Sequence, residues 1–159
     1  MEPYQPEKEI WTDADFENMS WHDNYIHGFS FSEDFKFYLD IDYIFKWVLK
    51  GKHYKFWMAP CTLVFETVQD FSMEESGPSQ FVILEITKSD PKPPKNEYYT
   101  NNNIVERDWL IETLHGEMSF SSTGYKQYVR SKPQLNNNGK FNLDERGGIS
   151  FSITPIPLV

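Results

Sequence analysis

Apolar and polar residues alternate with period two along two neighbouring stretches, 23–31 and 35–43, and the polar residues Ser32, Glu33 and Asp34 fall between them. In the first stretch Tyr25, His27, Phe29 and Phe31 share one face, and Asn24, Ile26, Gly28 and Ser30 share the other. In the second, Phe35, Phe37, Leu39, Ile41 and Tyr43 lie opposite Lys36, Tyr38, Asp40 and Asp42. With the three polar residues as the loop, Phe31 faces Phe35 and Phe29 faces Phe37, which puts both apolar sets on one side of a β-hairpin. The pattern therefore predicts an antiparallel hairpin with one buried face.

The rest of the chain is read by the same rule. Residues 1–11 are polar with two prolines and read as an extended arm, and Thr12 followed by Asp13, Ala14 and Asp15 reads as an N-cap with acids in the first helical turn. Residues 45–53 read as a basic and aromatic connection that turns at Gly51. Strands are expected at 54–59 and 61–71, and Pro60 between them marks an edge, bulge or bend rather than a central ladder position. QFVILEITK is a further strand, and 89–103, with three prolines and no apolar period, is a long surface loop. His115 and Gly116 read as a two-residue turn that pairs Ile111 with Phe120 and Thr113 with Met118, a second turn falls at Thr123 and Gly124, and GGISFSITPIP reads as a final strand.

Together these stretches predict roughly seven to nine strands and one short N-terminal helix, arranged as an antiparallel β-sandwich or open barrel. At 159 residues one domain spanning 1–159 is expected, large enough to bury about 70% of its unfolded surface.

Charge and composition narrow the function classes. The 15 Lys and Arg against 24 Asp and Glu give a formal charge of −9, which repels phosphate backbones and makes nucleic acid an unexpected partner. Such a charge serves ordinary solubility or engages a basic partner. Aromatic residues make up 17% of the chain, a share suited to strands and binding faces. The single cysteine Cys61 allows no internal disulfide, the start lacks a basic apolar leader, and no apolar run approaches the roughly 18 residues of a membrane span. A cytoplasmic protein without a membrane partner is the expectation.

The candidate chemistry is concentrated near the hairpin. His22, Asp23 and His27 invite a metal reading, with Asp40 and Asp42 on the partner strand. On one strand, however, residues 22 and 27 point to opposite faces, and Asp23 and His27 lie about 13 Å apart along the same face. His27 then reads as a core histidine with both nitrogens bonded, and Asp23 as either a corner carboxylate accepting backbone N–H groups or a functional acid. Asp40 and Asp42, alongside Tyr38, read as a solvated face or as a divalent-cation site. Cys61 reads as inert packing, and no phosphate loop, HExxH, CxxC or GxSxG occurs, so no catalytic residue, metal site or cofactor is assigned.

WHDNYIHG, followed by LDIDYI and TLVFETV, resembles a family of small uncharacterised bacterial proteins with a WHD…IHG opening. More distantly it is similar to immunity proteins of polymorphic toxin systems, whose chains open on an aromatic-His-Asp triplet before a strand hairpin. The likeness covers residues 12–71, with an echo in WLIETLHGEMSFSSTGYKQYVR, and it implies protein binding and no catalysis. Three functions follow. The first is a non-enzymatic binding protein of immunity type whose acidic, aromatic surface meets a basic toxin domain. The second is an enzyme or metal-dependent binder built on His22, Asp23, Asp40 and Asp42. The third is a sugar or small-ligand module that stacks on Trp47, Trp57, Tyr98 and Tyr99.

Overall fold

Among the residues that the computed structural model describes, 2–95 and 97–157, the alternating stretches form ten strands, all paired antiparallel. These are β1 (Ile10–Thr12), β2 (Tyr25–Phe31), β3 (Phe37–Lys50), β4 (His53–Glu66), β5 (Gln69–Glu75), β6 (Ile83–Lys88), β7 (Arg107–Thr113), β8 (Gly116–Ser122), β9 (Gly124–Val129) and β10 (Gln134–Asn136). One sheet has the order β1-β9-β4-β3-β2, with β10 also paired to β4, and the other has the order β5-β8-β7-β6. The chain is thus mainly β, in two antiparallel sheets.

Both sheets feed one apolar cluster. Alternate residues Phe37, Leu39 and Ile41 of β3 and Leu63 and Phe65 of β4 are fully buried, and they meet Trp109, Ile111, Met118 and Phe120 from β7 and β8. Phe65 shows how the sheets lock: its ring lies 5.2 Å from Trp109, 4.8 Å from Phe120 and 5.7 Å from Tyr125. A side chain of that size stabilises the fold by about 1.5–3 kcal/mol when buried, and truncation to Ala costs about 3–5 kcal/mol because the void persists.

The predicted N-terminal helix is a 3₁₀ segment, Asp13–Asn18, with a capping box in which Thr12 accepts from the first turn and Asp15 accepts from the Thr12 N–H. Three further short helical segments occur among the described residues: Pro78–Gln80, α1 (Glu97–Asn101) within the 89–103 loop, and α2 (Leu143–Arg146).

Register departs from the expected pairing in instructive ways. Both hairpins slip by two residues but keep Phe29, Phe31, Phe37, Leu39, Ile111 and Met118 on the expected sides: Phe31 pairs with Phe37 and Phe29 with Leu39, while Ile111 pairs with Met118 and Thr113 with Gly116, and Phe29 and Phe31 stay 40% and 52% exposed rather than buried. Phe35 belongs to the first turn, with φ of 64° and an exposed ring, because the loop needs five residues rather than three. A β-bulge at His27 breaks the parity of β2, since Ile26 pairs with Ile41 and Gly28 with Asp40. Ile26 therefore turns into the core, and Tyr25 and His27 do not share the face of Phe29 and Phe31.

Other expectations are corrected. Residues 45–53 are not a connection, because β3 continues to Lys50 and turns at Gly51 directly into β4. Pro60 lies inside β4, paired with Asp42 on a central strand. It is tolerated there because β9 pairs with residues 61–66 and β10 with residues 56–58, so the side of β4 that lacks an N–H faces the break between them. Its carbonyl accepts from the Arg130 N–H at 3.0 Å across that break. Residues 147–157 form no strand and cross the outer face of the larger sheet as an irregular strap. Gly28 makes room for it, since a Cβ there would lie 3.1 Å from Ile149 Cγ2.

Candidate functional site

The acids that the sequence places on a solvated face are fully buried. Asp40 and Asp42 sit on the outer face of β3, away from the shared core, beneath the segment 141–152. Arg146, at the last position of α2, inserts between them: Nη2 and Nη1 donate to Asp40 at 2.6 and 2.7 Å, and Nε donates to Asp42 at 3.0 Å. Arg130 donates to Asp40 at 2.9 Å and to Thr62 Oγ1 at 2.8 Å. The Phe141 and Ser150 N–H groups add bonds of 2.9 Å to Asp42 and Asp40.

Two carboxylates thus face two guanidiniums, and the planar forks satisfy most of the oxygen lone pairs that burial would otherwise leave bare. Gly147, left-handed at φ 77°, ends α2 right after Arg146 and lets the chain return over the sheet. Beside the ions Ile44, Met58 and Phe141 form a second small apolar cluster under the same cover. On the opposite face of β4, Cys61 lies in the shared core, and burial is the main cause that pushes its thiol well above its usual range.

His27 joins the same network. The bulge swings it to the outer face, where Nε2 donates to Asp42 Oδ2 at 2.6 Å and the ring packs edge-on against Tyr25 at 4.8 Å. It is buried, yet on the face opposite to the expected one. A cleft of 350 Å³ lies beside it, lined by Tyr25, Lys140, Asn142 and Asp144.

His22 and Asp23 are elsewhere. They form the corner before β2, His22 exposed and Asp23 half-buried, where His22 Nδ1 donates to the Leu84 carbonyl at 3.0 Å and the ring stacks on Trp47 at 6.3 Å. Asp23 adopts φ of 65°, a conformation that Asp tolerates better than most residues, and its backbone N–H donates to Ile83 O at 2.9 Å. The structure gives Asp23 a corner role through its backbone, not through an accepting carboxylate. Neither residue contributes a bond to Asp40 or Asp42, and among the described residues no group of three His, Cys, Asp or Glu is placed to hold a metal ion. A cleft of 590 Å³ adjoins His22, between Phe16, Trp21, Leu84 and Glu112.

Tyr38 packs edge-on against Phe151 of the strap, at 6.4 Å. Trp47 and Trp57 lie on the far half of β3 and β4, beyond the last β2 pair, Tyr25 with Asp42. That half runs on as a two-stranded arm. Pairing of Trp47 with Phe56 and of Leu49 with Tyr54 lines one face of it with apolar side chains, and Lys46, Lys50 and Lys55 share the other with Val48, His53 and Trp57. Trp47 is 40% exposed, Tyr54 50% and Leu49 60%. Tyr98 and Tyr99 pack on each other in α1, so they and the two tryptophans belong to different elements.

Arg130, Arg146 and the strap escaped the sequence reading, although one signal was present. The chain has only three arginines beside twelve lysines, and two of the three are spent here. Comparison of the chain with protein-family models, curated proteins and solved structures finds no match.

Proposed function

We propose that this chain is a non-enzymatic binding protein of immunity type, a β-sandwich that acts in the cytoplasm by capping a basic toxin domain. The observation that carries the reading is the closure of Asp40 and Asp42 by Arg146 and Arg130. The side chains best suited to hold a cation or move a proton are spent on holding the outer cover, which leaves the surface to do the work. That surface is acidic outside the β3–β4 arm, a charge pattern that speeds encounter with a cationic partner and disfavours nucleic acid.

The metal-dependent reading on His22, Asp23, Asp40 and Asp42 loses support because the four residues fall into two separate environments, and arginine occupies the place a cation would take. The stacking reading loses support because Trp47 already packs against His22, Tyr54 and Phe56.

The test is co-expression with the C-terminal domain of a toxin encoded immediately upstream of the gene. A stoichiometric complex on size-exclusion chromatography, together with loss of toxin activity, is the expected result. A gene with no toxin neighbour, or a purified toxin domain that neither binds nor is inhibited, overturns the immunity assignment.

A further inference from the structure

From the rows beneath the cover out to its tip, the β3–β4 ribbon carries a composition unlike the rest of the chain. Residues 43–61 contain no Asp, Glu, Asn, Gln, Ser or Thr, and they hold four lysines, Lys46, Lys50, Lys52 and Lys55. In a chain of formal charge −9 this is a local reversal of sign. The apolar face of the arm continues the buried cluster of Ile44, Met58 and Phe141: Phe56 is half-buried, and Trp47, Tyr54 and Leu49 emerge into solvent where the cover stops. Three residue rows and the turn, Gly51 and Lys52, project past the Trp47–Phe56 pair. At about 3.3 Å per row the arm extends roughly 10 Å, close to one Debye length at physiological salt, so its lysines act largely apart from the acidic body.

We infer that this arm is a docking surface for an anionic phospholipid bilayer. An exposed face of Trp47, Leu49 and Tyr54, backed by a face on which Lys46, Lys50 and Lys55 stand among Val48, His53 and Trp57, suits a membrane interface, apolar side down, while the lysine stems reach headgroup phosphates. Trp and Tyr favour that depth, and Leu49 at the tip enters the acyl boundary. A protein partner would be met through roughly ten directed hydrogen bonds per interface, and this arm lacks the amide, hydroxyl and carboxyl side chains that make most of them, Tyr54 apart. The aromatics also pack on one another, Trp47 with Phe56 at 4.8 Å and with Tyr54 at 5.6 Å, and His22 stacks on the Trp47 ring at 6.3 Å. This is peripheral attachment and needs no spanning segment; among the described residues no helix is long and apolar enough to cross a membrane. The inference stands independently of the immunity reading.

Sedimentation with large unilamellar vesicles of phosphatidylcholine, with and without phosphatidylserine, tests it on the full chain. The parent should co-sediment with the phosphatidylserine vesicles and release as salt rises. Lys50→Ala with Lys52→Ala should lower partitioning about 25-fold, at about fivefold per lysine near an anionic surface. Leu49→Asp should abolish partitioning, and both variants should melt with the parent because these positions lie outside the core. Failure of the parent to bind anionic vesicles overturns the proposal. Binding that is indifferent to the arm substitutions also overturns it. Vesicles ignored while the same substitutions abolish capture of the purified toxin domain would make the arm a protein-docking surface instead, again overturning the lipid assignment while leaving the immunity reading intact.

Discussion

Arg146 Nη2 lies 2.6 Å from Asp40 Oδ1 with both side chains fully shielded from solvent, although the two residues are 106 positions apart in sequence. A buried ion pair adds little compared with a well-packed apolar pair, but removing one partner strands the other charge in a dry site. Arg146→Met is expected to cost about 3–5 kcal/mol in urea denaturation. Adding Asp40→Asn and Asp42→Asn to it should restore part of that loss, since fewer bare charges remain. Equal destabilisation by the single and triple variants would show that the arginine acts by shape alone.

His27 shares Asp42 with Arg146 and Phe141. His27→Ala should cost about 1–3 kcal/mol by leaving a void and one unpaired carboxylate lone pair. Thermal melting reads this directly, and a variant that melts like the parent would place His27 outside the stabilising network.

The strap is fitted to the absence of a side chain at Gly28. Gly28→Val should push against Ile149 and Phe151 and cost about 1–3 kcal/mol, with hydrogen exchange of residues 149–152 accelerating more than that of the core strands. Uniform acceleration across the chain would show that the strap is not a separate unit.

Acid should weaken the N-terminal cap. The Lys8 ammonium, and after it the Thr12 N–H, hold the Asp15 carboxyl below its usual range. A carboxylate whose folded pKa is depressed stabilises above its unfolded value, near pH 4, and that stability is lost as pH falls through the folded value. Asp15→Asn should therefore flatten the stability profile below about pH 4 while lowering stability by about 1 kcal/mol at neutral pH. A parent and variant with parallel acid limbs would remove Asp15 from the account.

Cys61 is fully buried and its thiol is held protonated by desolvation. Thiol reagents should modify it only after denaturation, at a rate that follows unfolding. Rapid labelling of the native protein, detected by mass spectrometry, would show that the core around Cys61 admits solvent.

How much of this was legible in the sequence depends on distance along the chain. Period-two runs located β2, β3, β7 and β8 and sorted Phe29, Phe37, Ile111 and Met118 onto the right sides, because local alternation reports burial. Turn placement was not legible: the first hairpin's loop holds five residues rather than three, and the second keeps two but sits at Leu114 and His115 rather than His115 and Gly116, so both registers slipped by two. The parity break at His27 left no trace in the pattern, since Tyr25 and His27 continue an alternation that the bulge physically ends. Asp40 and Asp42 read as solvated because their partners lie about a hundred residues downstream, in a segment whose own alternation mimics a strand.

The distance between those partners also orders events during synthesis. A ribosome delivers Asp40 and Asp42 long before Arg146, so the outer face of the larger sheet must stay wet while most of the chain is made. Until then two carboxylates and the apolar pair Ile44 and Met58 are open to water or to chaperones. Arg130, Phe141, Arg146 and Ser150 must all have emerged before that face can become interior, so its covering waits on the last quarter of these 159 residues.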